Sequence, residues 1–253
     1  MAPFAWFETP WGPALRCTAL EPYASHVFTA RGLDVPQAAA GGWAPLATWL
    51  GVDPAHLWRM RQVHGVAAHT DIASPCGDMW PEGDLLATDR ADVALAVRTA
   101  DCVPILYADV RTGAVAAVHA GWRGTAAGAA ARMVQVLGSR FGSCPDDLIA
   151  AIGPCIGPAA YEVGPEVVDA FTASWPKESA RGTWWVERET PDKFLLDLWT
   201  ITRDQLAAAG VAPASLHLAG LCTATHSGVL QSYRVDGVTA GRMVAAIRRR
   251  ARA

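Results

Sequence analysis

The sequence predicts an α+β fold, one domain built on a mixed, largely antiparallel β-sheet flanked by helices. Three observations predict it. Apolar runs of strand length cluster mid-chain, at residues 94–98, 103–108, 114–119 and 148–152. Stretches with apolar residues at helical spacing lie between and after them. The two kinds do not alternate in the strand–helix rhythm of a parallel sheet. No repeat or low-complexity linker divides the 253 residues, so 1–253 reads as a single domain with insertions.

In chain order, the Pro-, Gly- and Trp-rich segments 1–13, 73–83 and 174–193 read as loops whose tryptophans pack. Residues 57–64 (LWRMRQVH) alternate apolar and polar, which puts Trp58, Met60, Gln62 and His64 on one extended face, and Gly65 allows close approach. ALAVR (94–98) and VPILYA (103–108) read as strands. A turn over Asp109–Gly113 connects the second of these to AVAAVH (114–119). The spacing of Ala126, Ala130, Met133, Val134, Leu137 and Phe141 predicts a helix over 125–141, fraying at Gly138 and Gly142. LIAAI (148–152) is a strand running into Gly153-Pro154, and 165–174 and 198–209 are helices, the latter stopped by Gly210. The basic run Arg248–Arg250 reads as the end of a helix begun near Gly241, its cations suited to the negative end of the dipole.

Composition narrows the function. A hydrophobic content of 51% with a net charge of −3 excludes disorder, and 21 Lys+Arg against 24 Asp+Glu leave no sustained basic face for nucleic acid. Nineteen arginines against two lysines reflect base composition rather than recognition. No apolar run of membrane-spanning length occurs, and the N-terminus lacks the basic start and apolar stretch of a signal peptide, so a cytoplasmic protein without membrane partners is expected. Six scattered cysteines then read as thiols or metal ligands rather than disulfides.

The hairpin makes a geometric prediction. Residues of an antiparallel pair face each other about the turn, and the midpoint of Cys102 and His119 falls between residues 110 and 111. The two should meet within about a residue at the open end, as a Cys–His nucleophilic pair, as two metal ligands, or as a buried thiol beside a structural histidine. After His119, Ala120-Gly121-Trp122-Arg123-Gly124-Thr125 forms a Gly-bracketed turn into a helix, a place for an anion. Arg98-Thr99-Ala100-Asp101 precedes Cys102, and Gly153–Pro158 is a stiff loop carrying Cys155.

Together these stretches resemble the YfiH-like family, also called the multicopper polyphenol oxidase or laccase-domain family, with members described as purine nucleoside phosphorylases and peptidoglycan editing factors. The resemblance rests on Arg61–Gly65, Ala96–Leu106, Val118–Thr125, Ile152–Pro158, Tyr161-Glu162-Val163 and Cys222-Thr223, and runs from about Ser25 to Met243. It implies a layered α/β/β/α arrangement and a metal site of His64, Cys102 and His119, usually taken as zinc. Two imidazoles and one thiolate leave a coordination position open, as in catalytic zinc, and the same donors also suit copper. The chain departs from the family pattern over Ser232–Arg242, where Val235 replaces a basic residue and Ala240 is inserted.

The implied activity is phosphorolysis of adenosine, inosine, guanosine or methylthioadenosine, with adenosine deamination, on a small-molecule nucleoside and phosphate. Zinc can activate water for attack on C6 of adenine. Arg61, Arg98 and Arg123 are the candidate phosphate binders, and Gln62 and Cys155 candidate pocket residues. Asp101, beside the thiolate, is a candidate catalytic group acting as proton relay or orienting partner. The zinc deaminase signature H-x-E with P-C-x-x-C is absent. A copper polyphenol oxidase is the alternative, but the seven histidines contain no H-x-H pair for a multicopper cluster. A Cys102–His119 hydrolase acting on a peptidoglycan precursor is a further one. Monomer and dimer are both compatible with the sequence.

Overall fold

In a computed structural model, which describes residues 3–33, 35, 40–71, 80–179 and 182–250, the strands form three sheets. The first has the order β1 (Phe4–Thr9), β2 (Gly12–Cys17), β3 (Ala24–Thr29), β15 (Met243–Arg249), β7 (Ala94–Thr99), β4 (Leu57–Trp58). The second runs β14 (Leu216–Leu218), β10 (Leu148–Ile152), β8 (Val103–Asp109), β9 (Val115–Ala120), β6 (Leu85–Thr88), β5 (Ala68–His69). A small third sheet joins β11 (Glu162–Val163), β13 (Phe194–Leu196) and β12 (Trp185–Glu187). Pairing is antiparallel except for β4–β7, β10–β14 and β5–β6, each at a sheet edge. The helices are α1 (Ala44–Leu50), α2 (Trp122–Ala126), α3 (Ala129–Phe141), α4 (Pro165–Ser174), α5 (Pro176–Ser179), α6 (Leu198–Ala208) and α7 (Tyr233–Asp236). None of the helices among the described residues is long and apolar enough to cross a membrane.

Strand alternation builds the layers. Leu95, Val97, Ala245 and Ile247 of the first sheet pack against Leu106, Ala108, Val115 and Ala117 of the second. Ile105, Tyr107, Ala116 and Val118 point the other way, toward α3 and α6, while Ala94, Ala96, Val244 and Ala246 pack toward α1. The expected α+β class and α/β/β/α layering are thus present, divided between two large sheets. Both large sheets end beside the start of β8 and the end of β9, and the gap there holds the candidate site.

Several elements differ from expectation. The C-terminal segment is strand β15, not a helix, and lies between β3 and β7. Its run Met243–Ile247 is buried on both faces, a pattern that periodicity cannot tell from a buried helix. The arginines after it serve loops: Arg248 donates to the carbonyls of Ala91, Leu50 and Gly51. Residues 4–17, expected as loop up to 13, form the β1–β2 hairpin, with Gly12 at φ 104° in its turn. The segment 174–193 contains α5 and β12. Most of 73–83, with Cys76, lies outside the described residues. The helix predicted over 125–141 is split into α2 and α3 at Gly128, whose φ of 81° breaks the helical path. In 57–64 only Leu57–Trp58 is strand, though Trp58 and Met60 do face the inter-sheet core while Gln62 and His64 reach the site.

The cysteines at 17, 102, 144, 155 and 222 are free thiols. His26 on β3 is a core histidine: Nε2 accepts the Cys17 N–H at 2.8 Å, which leaves Nδ1–H for the Ala24 carbonyl at 3.3 Å. Burial, with Arg250 and Arg16 nearby, lowers its pKa from 6.5 to about 4. Above pH 6.5 folded and unfolded chains both carry it neutral; between 6.5 and about 4 only the unfolded chain takes up the proton. Stability should fall by up to about 3 kcal/mol as pH drops through that window. Urea unfolding from pH 7 to 4 checks this. His26→Gln, which keeps an acceptor for Cys17 N–H, should flatten the slope, and an unchanged slope in the variant refutes the assignment.

Candidate metal centre

Three side chains from separate parts of the chain converge where the two large sheets end. The ligand atoms of His64, Cys102 and His119 all lie within 4.8 Å of one another, and the two imidazoles meet edge-on with centroids 4.9 Å apart. His119 is the penultimate residue of β9, and the observed register pairs it with Pro104. The hairpin is therefore shifted by two positions from the midpoint expectation. A shift of two preserves side-chain facing, which is why Cys102 still sits on the same side as His119.

Asp84, just before β6, assembles the group. Its carboxylate is fully buried, at 0% exposure. Oδ1 accepts His119 Nδ1–H at 2.7 Å and the His64 N–H at 3.1 Å, and Oδ2 accepts the N–H groups of Gly65 at 2.7 Å and Val63 at 3.3 Å. Three successive N–H groups thus hold the turn in which His64 adopts a left-handed φ of 61°. With Nδ1 engaged, His119 offers Nε2 to the cluster, the orienting role of a carboxylate behind a ligating histidine. Burial alone would raise the Asp84 carboxyl, but His119 and the Gly65 and His64 N–H groups hold it below its usual range. Glycine at 121 is also required: a Cβ there would come within 2.6 Å of His64 Cδ2 and 3.1 Å of Cys102 Sγ.

The electrostatics suit a cation. Burial works against a charged Cys102, yet His119 and His64 beside it lower the thiol to about 6. Burial likewise disfavours charge on His119, but Cys102 and Asp84 raise it to about 9. A thiolate and two imidazoles converging on one point are the donor set of an open metal site, and these residues fit zinc or copper.

The cluster lies in a cavity of about 560 Å³. Of the sequence candidates, Gln62, Arg98 and Asp101 also line it. Gln62 and Arg98 exchange two hydrogen bonds at 2.8 Å, Gln62 Nε2–H to the Arg98 carbonyl and Arg98 N–H to Gln62 Oε1, which ties the His64 segment to β7. Arg61 is exposed and ion-paired with Glu82, and Arg123 is exposed with its guanidinium 4.2 Å from the Trp122 ring; neither is part of the lining. Cys155 is buried, its Sγ accepting Trp199 Nε1–H at 3.0 Å, and also stands apart from the cavity.

The lining adds residues that were not candidates: Tyr161, Tyr233, Arg234 and Arg242. Three of them belong to the 232–242 segment that departs from the family pattern, so that departure borders the pocket. Asp84 was missed because Gly83-Asp84-Leu85 carries no motif. An acidic residue at the head of a strand pairing with the one that bears His119 was the signal available.

Fold and cluster define a class: two stacked sheets flanked by helices, with an open His–Cys–His metal-type cluster at the sheet ends. The family described as multi-copper polyphenol oxidoreductase laccase matches residues 16–250, and the chain belongs to it. A protein of Geobacillus stearothermophilus named purine nucleoside phosphorylase YlmD is 41% identical over 214 residues, 81% of this chain and 76% of that one. Purine nucleoside phosphorylase YfiH of Escherichia coli is 36% identical over 193 residues, 76% and 72% of the two chains. Among solved structures, YlmD from Geobacillus stearothermophilus superposes with TM-score 0.83 at 34% identity over 97% of this chain and 99% of that one. Bacillus licheniformis YfiH gives TM-score 0.85 at 26% identity, over 98% and 99%.

Bound zinc measured after dialysis should drop in His64→Ala, Cys102→Ala and His119→Ala alike; retention in all three refutes the ligand set. Asp84→Asn should weaken zinc binding by about 10- to 100-fold with the ligands intact. Gly121→Ala should weaken it as well, by displacing the His64 ring.

Proposed function

We propose that the chain is a zinc-dependent purine nucleoside phosphorylase that also deaminates adenosine. The observation that carries the reading is the meeting of three guanidiniums with the His–Cys–His cluster in one cavity. Arg98, Arg234 and Arg242 all line it, and none has an ion-pair partner among the described residues. Arg98 is held below its usual pKa by burial and then by the neighbouring Arg242. Like charges brought together with no carboxylate ion-paired to their guanidiniums are relieved by a bound anion, and guanidinium forks match phosphate. The names of the relatives point the same way.

In phosphorolysis a phosphate oxygen forms a bond to C1′ of the ribose as the bond from C1′ to the base nitrogen breaks, giving ribose 1-phosphate and free base. The arginines hold the phosphate and orient its oxygen. Tyr161 and Tyr233 offer aromatic faces for a purine, backed by Arg234 and Arg242 at 5.2 and 5.9 Å from their respective rings. Bound zinc would supply the Lewis acidity that water attack on C6 of adenine requires. Gln62 spends its amide on the Arg98 backbone and so acts as a brace.

The oxidase in the family's description is less well supported. Among the described residues His64, Cys102 and His119 are the one cluster of metal-binding type. The other histidines are spent elsewhere or isolated: His26 in the core, His69 on the Glu82 carbonyl, His226 on the Cys222 carbonyl. The Asp84–His119–Cys102 line favours a second reading, a cysteine hydrolase in the metal-free state. The two exclude each other at one time, because a metal-bound thiolate is no nucleophile.

Incubating the zinc-loaded protein with adenosine or inosine, with and without phosphate, separates them. Free base released only with phosphate, and ammonia from adenosine, are expected. Silence at every metal loading sinks the proposal, and amide hydrolysis that appears on chelation and disappears in Cys102→Ser establishes the second reading. Arg242→Gln should raise the KM for phosphate by about tenfold or more while zinc content is unchanged.

A further inference from the structure

The wall of the cavity is assembled from segments far apart in sequence, and Asp101 in that wall bonds three neighbouring segments. Its φ of 82° is left-handed, so its carbonyl and carboxylate serve different neighbours. The carbonyl accepts the Ile156 N–H at 2.9 Å, which fixes the loop leading to Tyr161. Oδ1 accepts Thr223 Oγ1–H at 2.5 Å, and Oδ2 accepts the backbone N–H of Arg234 at 2.6 Å. Asp101 is 9% exposed and Thr223 is fully buried.

Arg234 opens the short helix α7 together with Tyr233, after Ser232, whose Oγ accepts the Val235 N–H. Four residues in one turn cannot hold themselves in place. The turn is held from outside at both ends: at Arg234 by Asp101 on the backbone nitrogen and by the Glu162 carbonyl, which accepts Arg234 Nη2–H at 2.9 Å, and at Asp236 by an ion pair with Arg31. With both carboxylate oxygens engaged on neighbouring segments, Asp101 has the geometry of a brace rather than a proton relay. It also stands outside the three-residue ligand cluster.

We propose that Asp101 is a positioning residue that fixes Arg234 over the cavity and so sets affinity for the anionic co-substrate, independently of the metal. The inference rests on the phosphorolysis reading for its kinetic consequence. Its structural part stands alone: Asp101 ties the loop bearing Cys102 to the arm bearing Arg234.

Two variants test it in the zinc-loaded full chain. Asp101→Gly accepts the left-handed backbone without penalty and deletes the carboxylate. Asp101→Asn keeps an oxygen for the Arg234 N–H and turns its amide to the Thr223 hydroxyl, which can accept. In the glycine variant amide exchange at Arg234 should accelerate, and the KM for phosphate should rise by about tenfold, more than kcat falls, with zinc stoichiometry unchanged. The asparagine variant should restore most of both. Unchanged Arg234 exchange and phosphate KM in folded Asp101→Gly overturn the proposal, as does loss of zinc as large as in Cys102→Ala. If the wild type performs no phosphorolysis, the functional reading fails, while amide exchange and calorimetric titration with inorganic phosphate still decide the role of Asp101.

Discussion

Asp84 is a buried carboxylate with four N–H donors, and the candidate site depends on it. A charge taken from water is tolerated when its lone pairs are filled, and here they are filled by the two strands of chain that carry the histidines. The His64 turn has a backbone conformation costing about 1–3 kcal/mol in isolation, and the carboxylate offsets that cost by accepting hydrogen bonds from three consecutive backbone N–H groups. The His119 ring is set by the same oxygen that receives the His64 amide. The His119 ring and the His64 main chain are therefore referenced to one atom, Oδ1, which fixes where the two ligand-bearing segments stand relative to each other. Asp84 is itself immobilised through its main chain, whose carbonyl accepts the His119 N–H at 2.9 Å.

The two-sheet stack explains why the site is where it is. Between the sheets the strands present apolar residues, among them Ala108, Val115, Ala117, Val97 and Ala245, buried in one contiguous core. Where β8 begins and β9 ends the stack opens, and the chain uses that opening for Pro104, His119 and the turn before β8. Close packing is required on every side. Gly124 lies against the Gly65 carbonyl, where a Cβ would sit at 3.2 Å, and Gly153 packs on Phe28 so tightly that a Cβ would come within 2.3 Å of its ring. These glycines belong to the motifs read from the sequence, and their reason is proximity rather than turn conformation.

The β8–β9 hairpin was legible because two apolar runs of strand length flank a turn ending in Gly113, and α4 was legible from Pro165 onward. The same reasoning failed at Met243–Ile247. An alanine-rich apolar run favours helix locally, and only its place between β3 and β7 decides for strand. The Cys102–His119 pair could be found by counting, but His64 needed the family resemblance, since its approach depends on a carboxylate twenty residues away. The arginines show the limit most clearly. Arg61 and Arg123 adjoin ligand residues in sequence yet point to solvent, whereas Arg234 and Arg242 reach the cavity because the chain's end returns to the middle of the first sheet.

That return also bears on what the pocket can hold. In the segment beside Tyr233 and Arg234, Val235, which replaces a basic residue of the family pattern, is 53% exposed and Val238 is 89% exposed. The positive charge of the cavity then rests on Arg98, Arg234 and Arg242, each already anchored through at least one N–H to a backbone carbonyl: Val35, Glu162, and Ala240 with Gly241. Anchored guanidiniums lose little freedom when an anion arrives, so their attraction is available without reorganisation. The same anchoring limits adaptation. A site built this way discriminates by where its charges stand, and with the basic residue of position 235 absent, charge at the outer rim contributes less than charge deep in the cavity. Under the proposed phosphorolysis, selection among nucleosides falls to the faces of Tyr161 and Tyr233 more than to the rim.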